Sequence, residues 1–256
     1  MLEHLRSLVM KPPNAAPFSL RRLARVFAVV ALVLLISAAY WAHLLNDQAT
    51  QLRHSEEQAR LRAVQMSAAM ATQTSTLVAG LEYLVHSLAS IYAADPKNYF
   101  PLAVQTALQT FPEGSVLQVA VADADGYLTY SSLAGGRQTV SIADRAHFRV
   151  HTQGGAAGMY ISRPVLGRVS GRWSVQFSYP IVDRKGRFAG VVVLSIAPQY
   201  LSGSFRELFG GGSDVALLVH SDGHYLAGSH LQDSALSQPA PRRREFISEP
   251  QAQQGE

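Results

Sequence analysis

The sequence predicts an α+β protein. An N-terminal transmembrane helix and a long stalk helix lead into an antiparallel five-stranded sheet flanked by helices. Three observations predict this. Residues 26–45 form an apolar run with no charged side chain. Residues 46–94 hold no proline and a single glycine, Gly80. From Val116 onward the pattern changes to short apolar runs divided by Asp-Gly and Gly-rich turns, which reads as strands and hairpins.

The chain has 256 residues, 48% of them hydrophobic. That is enough for a core, and one domain of common size remains once anchor and stalk are set aside. The net charge of +4 is located in the first 25 residues, where Arg6, Lys11, Arg21, Arg22 and Arg25 face Glu3. The remainder is balanced, so the basic isoelectric point is no signal for nucleic acid. There is no cysteine, which excludes disulfides and thiolate metal sites.

Val26–Leu45 spans roughly 30 Å as a helix, the thickness of a hydrocarbon core. Tyr40, Trp41 and His43 gather at its C-terminal end, where an aromatic belt lies. The run is too long for a typical signal peptide, and Ser37-Ala38-Ala39 is a weak cleavage site. Four cations from Lys11 to Arg25 precede it, so the N-terminus is expected in the cytoplasm and the bulk of the chain outside, on a single pass.

The stalk, 46–94, is rich in good helix formers. Leu77, Leu81, Leu84, Leu88 and Ile91 step by four and three, the seam of a coiled coil or of a helix packed on its own domain. Two readings stand: a stripe that covers the following domain, and a homodimer through the stalk. Asp95-Pro96 ends the helix, because the residue before proline is pushed out of the helical region.

Pro101–Phe111 reads as a short helix. Val116–Asp123 and Tyr127–Ser131 read as a hairpin around Ala124-Asp125-Gly126. Asp123 and Asp125 resemble the start of a calcium loop, but Ala134 stands where the closing carboxylate is required, so the turn reading holds. Asp144–His151 is expected to be a helix, with Asp144 as its N-cap. Strands follow at Met159–Leu166, Arg172–Val182 and Arg187–Ile196. In the second of these, Trp173, Val175, Phe177 and Tyr179 alternate with Ser174, Gln176 and Ser178. The third is almost continuously apolar and is expected at the centre of the sheet. Pro198 opens a helix ending near Phe209, and Gly210–Gly212 break it. Asp214–Gly228 reads as a further hairpin, and 235–256 as a polar, disordered tail.

Two arginines, a tyrosine and a histidine fall within twenty residues: Arg145, His147, Tyr160 and Arg163. A guanidinium presents a planar fork suited to a carboxylate. Such groups among apolar walls make a site for a small-molecule ligand rather than a catalytic one. The chain carries no Gly-x-Ser-x-Gly, His-Glu-x-x-His or P-loop motif, and its nine histidines lack metal-ligand spacing. An enzyme, a cofactor and a metal are therefore not expected.

The order of DADG at 123–126, DRAHF at 144–148, ISRPV at 161–165, GRWSVQFSYPI at 171–181 and GRFAGVVVLSIAPQYL at 186–201 resembles the extracytoplasmic Cache sensor family. The likeness is greatest to the double-Cache domains of bacterial histidine kinases, diguanylate cyclases and chemoreceptors, and covers roughly 46–230. The resemblance implies a PAS-like sheet in each of two lobes, with a ligand in the membrane-distal one. On it, 1–25 is a cytoplasmic tail, 26–45 the anchor, 46–94 the stalk, 95–209 the distal lobe and 210–234 the start of the proximal lobe. The rest of that lobe, a second membrane helix and an output domain are expected to be missing from this chain. Amino-acid-binding members hold the ligand carboxylate with an Arg and an aromatic of the helix motif, and its amine with a strand Asp. Arg145 matches that Arg, His147 stands at the Trp, Tyr160 matches a strand Tyr, and Ser195 replaces the Asp. The ligand-binding set expected from motif and pattern together is Arg145, His147, Phe148, Tyr160, Arg163, Trp173, Gln176 and Ser195. A serine cannot neutralise an ammonium, so a small carboxylate or other anion is expected, sensed for transmembrane signal transduction. The alternative is an anchored envelope protein with an interaction or structural role.

Overall fold

The computed structural model describes residues 20–134, 139–154, 157–203, 215–231, 235–236 and 238–240. The segments expected to be anchor and stalk lie in one uninterrupted helix, α1 (Leu20–Ala94). The chain divides into two units at Ser67. Among the described residues the first unit holds only the N-terminal part of α1, and Leu35, Ile36 and Trp41 are all exposed there. This is the one helix, among the described residues, long and apolar enough to cross a membrane, with a mean hydropathy of 2.3 over its most apolar window.

In the second unit α1 buries a stripe of Leu81, Val85, Leu88 and Ala89 in the main core. Of the expected seam only Leu81 and Leu88 are fully buried, while Leu84 and Ile91 are half-buried. The observed stripe follows the 3.6-residue period of a straight helix on a sheet, not the 3.5 of a supercoil. α1 stops before Pro96. Asp95 then accepts the backbone N–H groups of Lys97 (3.1 Å) and Asn98 (2.9 Å) through Oδ1, and this turn starts α2 (Tyr99–Thr110).

The sheet contains β1 (Val116–Asp123), β2 (Leu128–Ser131), β3 (Tyr160–Ile161), β4 (Val165–Leu166), β5 (Trp173–Val182) and β6 (Phe188–Ile196). Its order is β2-β1-β6-β5-β3, with β4 also paired to β5 and every pairing antiparallel. The apolar run 190–196 thus lies at the centre, as expected. The single strand expected over 159–166 is split in two. Pro164 has no N–H to give the ladder, and Ser162 replaces it locally: its N–H donates to Gln176 O (2.9 Å) and its Oγ accepts from Gln176 N (3.1 Å).

Strand alternation gives the sheet two unlike faces. Val119, Val121, Val175, Phe177, Val192, Leu194 and Ile196 face the core shared with α1. Ala120, Ala122, Val191 and Val193 face a smaller cluster with Leu128, Ile142 and Phe148, covered by α3 (Ala146–Thr152). After β6 comes a short helix, α4 (Pro198–Leu201). Its expected continuation to Phe209 and the break at Gly210–Gly212 lie outside the described residues, as do residues 1–19 and the tail from 241 onward.

The later hairpin is present as β7 (Leu217–Val219) and β8 (Tyr225–Gly228). Leu226 and Ala227 join the main core. Asp222 in its turn binds Arg163 Nε at 2.5 Å and lies within 3.0 Å of both His220 and His224. His220 Nε2 is also 3.2 Å from Ile161 O. Burial opposes ionisation of Asp222, but Arg163 and the two histidines outweigh it and hold the carboxyl well below its usual range.

Candidate functional site

The segment entering α3 is fixed by the β1–β2 turn. Asp123 Oδ1 accepts the N–H groups of Asp125 (3.2 Å) and Tyr127 (2.9 Å). Gly126 takes φ +84°, and a Cβ there would lie 2.8 Å from Ala143, so only glycine lets the turn lie this close. Ile142 N–H donates to Gly126 O at 2.8 Å. The chain is thereby delivered to Asp144 and Arg145 at a set position.

Asp144 does not cap the helix, contrary to the sequence expectation. Both its oxygens accept from the Arg168 fork at 2.7 Å, and Arg145 takes the N-cap position. A bidentate guanidinium–carboxylate pair is stronger than a single cap bond. The hydrogen bonds from Arg168 hold the Asp144 carboxyl below its usual range and raise the guanidinium in turn. Arg168 also donates to Ser141 O, which ties the 165–169 strap across the start of α3.

Between the strap, the start of α3 and the sheet lies a cavity of about 40 Å³, room for roughly three waters or a ligand of a few heavy atoms. Its walls are apolar: Ala120, Leu128, Val140, Ile142, Val165, Leu166, Val169 and Val193. Its floor is a polar row across three central strands, because Gln118 pairs with Ser195 and Ser195 with Gln176 in register. Gln118 Nε2 donates to Ser131 Oγ (2.9 Å), Ser195 Oγ to Gln176 Oε1 (2.6 Å) and Gln176 Nε2 to Ser174 Oγ (2.7 Å). Arg145, His147 and Arg168 supply the remaining polar groups. Arg145 Nη2 donates to Leu166 O at 3.3 Å. Among the described residues of the lining there is no carboxylate.

His147 is 5% exposed. Burial pushes its imidazole down from 6.5 to about 3, and the nearby Arg145 charge acts the same way. It is neutral at ordinary pH. No hydrogen bond joins its ring to another described residue.

Four of the eight expected residues therefore meet at the cavity: Arg145, His147, Gln176 and Ser195. The other four are elsewhere. Phe148 is core, stacked edge-on against Phe188 at 5.9 Å. Trp173 shares the α1-side alternation of Val175 and Phe177, so the pleat turns it from the cavity. Tyr160 pairs with Ser178 at the sheet edge, where His151 Nε2 stands 3.0 Å from Ser178 Oγ. Arg163 is held by Asp222. Sequence reading missed Gln118 and Arg168. A lone glutamine inside the apolar run Val116–Ala122 was the available signal for the first, while Arg168 was hidden in a segment read as a plain connection.

No protein-family model and no curated protein matches the sequence. Solved structures do. The extracellular domain of rpHK1S-Z16, assigned as a histidine kinase, superposes with a TM-score of 0.61 at 25% identity, over 73% of this chain and 76% of that one. The ligand-binding domain of the Pseudomonas fluorescens chemoreceptor CtaA, solved with L-alanine, gives 0.55 at 17% identity over 74% and 77%. That of the Pseudomonas aeruginosa chemoreceptor PctC, solved with GABA, gives 0.54 at 16% over 67% and 76%. These two likenesses are of fold.

Proposed function

We propose that this chain, which carries the Cache-type fold of extracellular sensor domains, binds a small carboxylate or related anion outside the cell and is held there by a single membrane-crossing helix. The observation that carries the ligand reading is the cavity itself. Two guanidinium groups line it, Arg168 already paired with Asp144 and Arg145 without a carboxylate partner in the lining. With the buried imidazole they meet uncharged polar groups, no carboxylate being among the described lining residues. The CtaA and PctC domains were solved with ligands that bear an ammonium. Burying an ammonium here, without a counter-charge, carries a large desolvation penalty. An anion instead finds Arg145. The apolar strap and walls suit a short carbon chain.

The anchor reading is supported by the apolar start of α1 and by the cations before it, which favour a cytoplasmic N-terminus. Residues 95–209 make up the distal lobe and 210–234 the start of a proximal one. Self-association through α1 is supported by Leu61 and Val64, apolar side chains left exposed on that helix. Ligand binding signals by shifting α1 between two positions through its differential affinity for them.

The test is thermal stability of the full chain in detergent against a panel of short organic acids. A ligand at a hundred times its Kd stabilises by about 2.7 kcal/mol. Arg145→Ala abolishes the response, and Arg145→Lys weakens it by losing the fork. A folded sample that no member of the panel stabilises overturns the ligand reading.

A further inference from the structure

Among the described residues of the cavity lining, His147 is the only imidazole, the side chain whose ordinary pKa lies nearest neutral pH. A neutral imidazole carries one N–H donor and one bare acceptor nitrogen. The residue is buried and lines the cavity, and its ring has no hydrogen bond to another described residue. Its surroundings explain why the empty site keeps it uncharged. Arg145 and His151 stand on or beside its own helix, and Arg168 comes from the strap. Asp144 is the one nearby carboxylate, and it is committed to Arg168. β5 and β6 present Gln176, Ser178 and Ser195, none of which titrates in this range, and β3 contributes Tyr160. A proton on His147 therefore lacks a counter-charge until something negative enters.

We propose that an anion enters this cavity together with one proton, which His147 takes up. The inference rests on the anion-binding reading above. An N–H bond forms at the bare ring nitrogen, the proton comes from the solvent or its buffer, and it leaves with the anion; no bond of the ligand is broken. The anion then lies between two cations and accepts hydrogen bonds from both. Because burial holds the imidazole pKa of the empty site down to about 3, the proton is gained upon binding and not before it. Occupancy follows the product of anion and proton activities, so the site reports a weak acid more strongly in acidic surroundings.

The experiment is titration calorimetry of the full chain in detergent with methanesulfonate, which stays ionised throughout, and with acetate, from about pH 5.5 to about pH 7.5. Paired buffers of unlike ionisation heat give the protons taken up per anion. We expect uptake approaching one proton and affinity rising toward tenfold per unit of falling pH, with the slope lost in His147→Gln. Equal affinity at every pH, with no proton uptake, overturns the proton coupling and leaves the anion site standing. No binding of either anion at any pH overturns both. If His147→Gln does not fold, the proton count on the unmodified chain decides alone.

Discussion

Inside the cavity the energetics are set by two substitutions of charge, one by burial and one by loss. His147 is kept neutral by burial, which makes stability depend on pH even without ligand. Below about pH 6.5 the unfolded chain binds a proton at this ring, while the folded chain does not until about pH 3. The unfolded state then carries more protons, so stability falls as pH falls through that window, by at most about 1.4 kcal/mol per unit. Denaturant melts of the parent and His147→Gln at a series of pH values isolate this slope; parallel curves would refute it. Ser195 is the second case. It is buried on the floor, where an aspartate would offer an ammonium its partner. Ser195→Asp puts a carboxylate into the cavity that Arg145 lines, and should weaken the response to acetate and create one to L-alanine in a thermal-shift assay. Parent protein that responds to L-alanine as strongly as to acetate would contradict the charge argument. Arg145 was legible in the sequence because a guanidinium beside a helix start is conspicuous. Gln118 was not, since its role comes from cross-strand register with Ser195, and register is set by pairing partners 77 residues away in the chain.

At the scale of elements, the strand runs were legible from alternation, continuous apolar runs and turn residues, and β1 has the bounds expected of it. The break at 162–164 depended on Pro164 meeting β5, a pairing that local sequence does not announce. The same break frees Arg163 to reach Asp222 across to the β7–β8 turn. That link joins the break between β3 and β4 to a later hairpin, and it decides between two roles for Arg163. Its side chain is half exposed in the pair, so the contribution to global stability is about 0–1 kcal/mol. Arg163→Ala should leave the melting temperature and anion affinity nearly unchanged while speeding deuterium uptake across 217–228. A large loss of affinity with unchanged uptake would return Arg163 to the ligand site.

For the whole molecule, the decisive question is which side of a membrane the sheet occupies, and the absence of cysteine makes it answerable. Any introduced cysteine is the sole thiol. Ser7 lies in the basic tail and Ser90 is an exposed position on α1. Cations before an apolar run hold that end in the cytoplasm, and the extracellular domain of rpHK1S-Z16 shares this fold. A membrane-impermeant maleimide on intact cells should therefore label Ser90→Cys, and should reach Ser7→Cys only after lysis; the opposite pattern would invert the topology. A second arm addresses self-association. Met70 is already spent against Ala216, so any seam between copies above the membrane must use other faces of α1, where Leu61 and Val64 are exposed. Single cysteines through 53–69 should cross-link with a spacing near 3.5 residues if two α1 helices supercoil. Uniform weak cross-linking along the helix would instead indicate chance collision, and the signal would then have to pass through one helix alone.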